Sequence, residues 1–94
     1  MTERDTRFAR ATSIIMQAPS LGAPGATIAS VPRTYCIVIT FAKERRYATF
    51  ECDEDGDVVL TMSDRTQDVE AEACMVELGQ EESAIRRAVR FIGG

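Results

Sequence analysis

In three successive stretches of the chain, rich in β-branched and aromatic residues, apolar side chains recur at every second position. Residues 34–41 read TYCIVITF, residues 46–52 read RYATFEC and residues 58–63 read VVLTMS. β-Branched and aromatic side chains suit a half-buried pleated surface, so each stretch is expected to be a strand. KERR at 43–46 makes the first turn and DEDGD at 53–57 the second, where Gly56 can take a positive φ. Connections this short imply an antiparallel meander. Pairing Cys52 with Val58 sets Phe50 opposite Leu60 and Ala48 opposite Met62, which gathers all six on one face. An odd-sum register in the first hairpin adds Tyr35, Ile37, Ile39 and Phe41 to that face. The other face carries Cys36, Val38, Thr40, Tyr47, Thr49, Glu51, Val59 and Thr61. It is mixed rather than polar, and suits partial cover by the N-terminal arm or by another chain.

A helical period appears at both ends. Over 80–92, Ala84, Ile85, Ala88, Val89 and Ile92 form one apolar stripe, with Glu81 and Glu82 in the first turn and Arg86, Arg87 and Arg90 later, as the helix dipole favours. Glu82 and Arg86 can pair at i, i+4, and Gly93–Gly94 ends the helix. Over 2–17 the stripe of Phe8, Ala11, Ile15 and Ala18 is thinner, with Thr2 as cap and a disordered or strand-like arm as the alternative. Residues 18–32, APSLGAPGATIASVP, hold all three prolines and two glycines, and are read as a mobile linker. Their LGAPGA lacks the Lys-Ser/Thr end of a phosphate loop. Residues 68–78, DVEAEACMVEL, fit a helix through Ala71, Cys74, Met75 and Leu78, or a fourth strand through Val69, Ala71, Ala73 and Met75. Ala and Glu favour the helix. The expected fold is therefore α+β: a three-stranded antiparallel β-meander (33–94 as a small domain) packed on a C-terminal helix, with an N-terminal helix or arm (1–17) on a linker (18–32).

Composition narrows the chemistry. With 94 residues the chain has room for one core, and no apolar run approaches the roughly 18 residues of a membrane span. There is no His, so the commonest general base and metal ligand is missing. Nucleophilic catalysis would rest on carboxylates or Lys43 as base. The three cysteines, Cys36, Cys52 and Cys74, are odd in number, lie in apolar contexts and form no dense scaffold. They read as packing residues in a reducing compartment, and with MTERDTRFAR followed by too short an apolar run for a signal peptide, the cytoplasm is expected. Glu51, Asp53, Asp55 and Asp57 alternate as in calcium loops. Counted from Asp53, however, the sixth and twelfth positions are Val58 and Asp64; counted from Glu51, the twelfth is Met62. Neither register closes, so no metal, cofactor or enzymatic activity is expected.

The charge is uneven. Residues 1–50 carry a net +4, residues 51–82 a net −11 and residues 83–94 a net +3, for −4 in total. Such a block either solubilises the chain or steers it toward a basic partner. The order helix, three strands, helix resembles the double-stranded-RNA-binding domain, whose second helix opens with a Lys-rich motif aimed at phosphates. Here those positions read Gln80, Glu81, Glu82 and Ser83, which repel phosphate, so the likeness covers element order alone. In size, acidity and lack of catalytic residues the chain resembles small anti-defence proteins of phages and mobile elements, anti-CRISPR proteins among them. That resemblance implies a stand-alone, non-catalytic inhibitor or adaptor. The expected docking residues are Glu51, Asp53, Glu54, Asp55, Asp57, Asp64, Asp68 and Glu72, set against a protein partner with a basic, nucleic-acid-handling surface. The alternatives are a nucleic-acid-binding or regulatory domain using Arg45, Arg46, Arg86, Arg87 and Arg90, and a subunit of an obligate oligomer.

Overall fold

The computed structural model describes residues 3–31, 36–53, 55–64 and 72–93. Its order is helix α1 (Glu3–Gln17), a 3-10 turn (Pro19–Leu21), strands β1 (Thr27–Val31), β2 (Cys36–Lys43), β3 (Arg46–Cys52), β4 (Val58–Asp64) and β5 (Glu72–Val76), and helix α2 (Glu81–Gly93). The protein is α+β, with the strands in one antiparallel sheet in the order β1-β2-β3-β4-β5.

The central meander has the register that the side-chain alternation dictates. Cys52 faces Val58, Phe50 faces Leu60 and Ala48 faces Met62, while Phe41 faces Ala48 and Ile39 faces Phe50 across the first hairpin. One-residue slips would turn every one of these side chains to the other face, so the apolar pattern fixes the pairing. Phe41, Phe50, Ile39, Leu60 and Val58 are fully buried, and the Phe41 and Phe50 rings meet edge to face at 5.9 Å. Tyr35, assigned to the same face, lies outside the described residues.

Both helices cover that face. Ile85, Ala88 and Ile92 of α2 are buried, with Ala84 and Val89 packed against the core, as the helical stripe requires. Among the described side chains of α1, Ala11 and Ile14 are buried, with Ala18 just beyond, and Ile15 is only partly covered; the Phe8 side chain lies outside the described ones. The stripe thus runs through Ile14 rather than Ile15, and α1 touches α2, β2 and β3 instead of standing off as an arm. The mixed sheet face accordingly has no helix over it among the described residues.

Three expectations are corrected. Among the described residues the sheet has five strands, not three. The segment read as a linker contains β1, whose Ile28 and Ala29 pair with Ile39 and Val38. Its prolines and glycines do make the turn before the strand: Gly22 sits at φ 86 with its N–H donating to Pro19 O, and Ala23 N–H donates to Ala18 O. The helix expected over 68–78 is replaced by β5 from Glu72; residues 65–71 lie outside the described ones. A helix there would bury three or four apolar side chains but leave the backbone of β4 unpaired on one edge. As a strand, the segment pairs Cys74 with Leu60 and Val76 with Val58 and brings Val76 into the core.

Candidate functional site

The charges separate along the strand direction, and two short connections set the poles. The β3–β4 turn is built on Asp53. Its Oδ1 accepts hydrogen bonds from the N–H groups of Asp55 (3.0 Å) and Asp57 (2.9 Å), and its own N–H donates to Asp57 O at 3.0 Å. Gly56, at φ 88, closes the turn. An Asx turn of this kind fixes the backbone locally, and it holds Asp55 and Asp57 exposed on a defined frame. Glu51 is exposed one residue before the end of β3, and Glu77 is exposed just after β5, which ends beside Val58.

Arg10 anchors this pole from α1. Its Nε donates to Glu81 Oε1 at 2.6 Å, its Nη1 to Gly56 O at 2.9 Å and its Nη2 to Val76 O at 2.6 Å. One guanidinium therefore ties the hairpin turn, the end of β5 and the first turn of α2 to α1. Burial alone would raise the Glu81 carboxyl, but the Arg10 hydrogen bond and backbone N–H groups outweigh it and hold the group below its usual range. Nothing in the sequence marks this pair, since Arg10 and Glu81 lie 71 residues apart and each reads as an ordinary charged helix position.

The opposite pole gathers the bases Lys43, Arg45 and Arg46, with Glu44 and Asp64 among them. Lys43 pairs with Arg46, so Glu44 and Arg45 form a two-residue loop, with Glu44 held at φ 58. Arg46 donates from Nε to Asp64 Oδ2 at 3.0 Å and from Nη1 to Phe91 O at 3.2 Å, its guanidinium 5.8 Å from the Phe91 ring centre. A cleft of about 790 Å³ lies here, lined by Lys43, Glu44, Arg45, Arg46, Asp64, Ile92 and Gly93.

The eight acids proposed for docking do not form one patch. Glu51, Asp53, Asp55 and Asp57 share the acidic pole. Asp64 pairs with Arg46 across the sheet and Glu72 with Met62, which places both toward the opposite pole, Asp64 about 20 Å and Glu72 about 13 Å along the strands from the level of Val58 at the usual strand rise. Register decides this: β4 runs away from the hairpin tip, so acids near in sequence end far apart. Glu54 and Asp68 lie outside the described residues. Glu77 was not among the expected acids, although its place directly after an alternating segment would have put it at the tip once that segment was read as a strand.

The arginines are likewise divided. Arg45 and Arg46 stand at the basic loop, while Arg86, Arg87 and Arg90 are strung along α2. Arg86 pairs with Glu82 at 2.9 Å, as the i, i+4 spacing requires, and Arg87 reaches within 4.0 Å of Glu72.

Cys36 and Cys52 are poor nucleophiles. Burial, with Cys36 nearby, pushes Cys52 up to about 11, and burial followed by the charges of Glu51 and Asp53 raises Cys36. Among the described residues no three His, Cys, Asp or Glu side chains gather as metal ligands would, and no helix is long and apolar enough to cross a membrane. The arrangement exposes carboxylates on a turn whose backbone is fixed by hydrogen bonds.

No family model matches the chain, and neither the curated proteins nor the solved structures contain a significant match.

Proposed function

We propose that the protein is a non-catalytic protein-binding module, an inhibitor or adaptor that presents its acidic pole to a basic, nucleic-acid-handling partner. The observation that carries this reading is the fixed β3–β4 turn, which exposes Asp55 and Asp57 on a frame made by Asp53 and braced by Arg10. Carboxylates held in place lose little conformational freedom on docking and steer a basic partner during encounter. The arginine-face alternative draws less support, because Arg46, Arg86 and Arg87 each have a carboxylate within ion-pair distance.

Capture from an extract of the source cell, with the wild-type chain and the Asp55→Lys, Asp57→Lys double variant compared by mass spectrometry, tests the reading. A nucleic-acid-binding protein retained by the wild type and lost with the double variant supports it. Equal capture by both chains overturns it. So does direct, salt-dependent binding of the isolated chain to duplex or single-stranded nucleic acid in a mobility-shift assay, which would favour the arginines instead.

A further inference from the structure

The face of the sheet opposite the helices shares Glu51 alone with the acidic pole described above, and valines and threonines make up much of it. Val38, Thr40, Thr49, Val59 and Thr61 lie across its three central strands, and Met75 of β5 stands 61% exposed at its side. Glu51 is the one charged side chain on this face of β2–β5 among the described residues. At the other end of the same face, Arg45 and Glu44 border a hollow of about 390 Å³ whose remaining lining is Thr40, Ala42, Tyr47 and Thr49.

We propose that a second copy of this chain occupies this face, the two sheets stacking with antiparallel strands about a two-fold axis that crosses them. Two observations select that occupant and that axis. The first is charge. β3 is the central strand, so either two-fold that stacks the sheets lays β3 over β3 of the second copy. With strands parallel, Glu51 would meet its own counterpart. With strands antiparallel, Glu51 comes over Arg45 of the second copy and Arg45 over Glu51, two opposite-charge pairs generated by one symmetry operation. The second is area. Five strands span about 24 Å and six residues along a strand about 20 Å, so two such faces together bury about 1,000 Å², the small end of specific interfaces. The dimer is thus expected to hold in the micromolar range, with its sheets about 10 Å apart as in a β-sandwich. The hairpin tips carrying Asp55 and Asp57 extend past the stacked strands at its two ends, one from each copy.

Within one chain, Arg45 and Glu51 sit at opposite ends of β3, about 20 Å apart, too far to interact. A charge swap therefore reads contact between copies. Sedimentation equilibrium on the full chain is expected to give the dimer mass at about 100 µM in low salt. Glu51→Arg and Arg45→Glu, each alone, are expected to raise the dissociation constant about tenfold, and the chain carrying both substitutions to return within about threefold of wild type. Val59→Lys, with folding checked by circular dichroism and melting, is expected to give a monomer. A monomer mass for the wild type up to about 500 µM overturns the proposal. So does a dimer indifferent to Val59→Lys, or one in which the double swap is no better than the singles. None of these measurements involves the basic partner, so their failure leaves the acidic-pole reading separately testable.

Discussion

Arg10 and Glu81 show how a single contact can brace several elements. The guanidinium satisfies two backbone carbonyls, at Gly56 and Val76, besides the carboxylate, and Glu81 is only 8% exposed. Arg10→Met leaves those acceptors and a covered carboxylate without their donor, and is expected to cost about 2–4 kcal/mol in urea unfolding, a cost near zero showing that water replaces it. The pH dependence follows from the sign of the shift. Glu81 lies below its ordinary value of 4.5 in the folded chain, so its contribution is complete above that value and is lost as the pH falls through the folded one. Glu81→Gln is expected to lower stability at pH 7 and to flatten the acid loss below pH 4.5, measured as the urea midpoint against pH. In the core, Phe50 is fully buried against Phe41 in the cluster that includes Ile85, so Phe50→Ala is expected to cost on the order of 3–5 kcal/mol.

Among the elements, the edges were harder to read than the centre. The meander was legible because apolar residues recur at every second position of each strand and each half of the pattern needs the others' register. The segment that becomes β5 gave two patterns of comparable quality, and its Ala and Glu content favours helix by a few tenths of a kcal/mol per residue. That margin is smaller than the gain from pairing an otherwise open edge of β4 and covering Val76, so tertiary structure overrides it. β1 was hidden in the same way, by prolines and glycines that mark the turn before it. The N-terminal helix gives the clearest test at this scale. Because Ala11 and Ile14 are in the core, removing residues 1–17 is expected to abolish cooperative unfolding, whereas an arm on a linker could be cut away with little loss. A truncated chain with a sharp thermal transition would contradict the packing described.

For the whole molecule, what matters is where register and helix packing carry the charges. Asp55 and Asp57 are exposed on a turn held by Asp53 rather than by their own side chains. Reversing both to Lys is therefore expected to change stability by less than about 0.5 kcal/mol. Steering of a basic partner should respond far more: the association rate at low salt falls and its salt dependence flattens. An unchanged rate would make the pole a solubilising surface.

Local order in this protein was set by the sequence itself: period-two alternation fixed the meander, its register and the Phe50–Leu60 face, and helical period with terminal charges fixed α2 and its Glu82–Arg86 pair. These depend on neighbours a few residues apart, where spacing alone determines which side chains meet. The acidic block was equally plain as composition, but its division was not. Strand direction sends Asp64 and Glu72 toward one pole and leaves Asp55 and Asp57 at the other, while Arg10 crosses 71 residues to find Glu81. Those outcomes, with the choice of strand over helix at β5 and the placing of both helices on one face, were decided only by the assembled fold. Each turns on contacts between segments distant in sequence, and no local spacing encodes them.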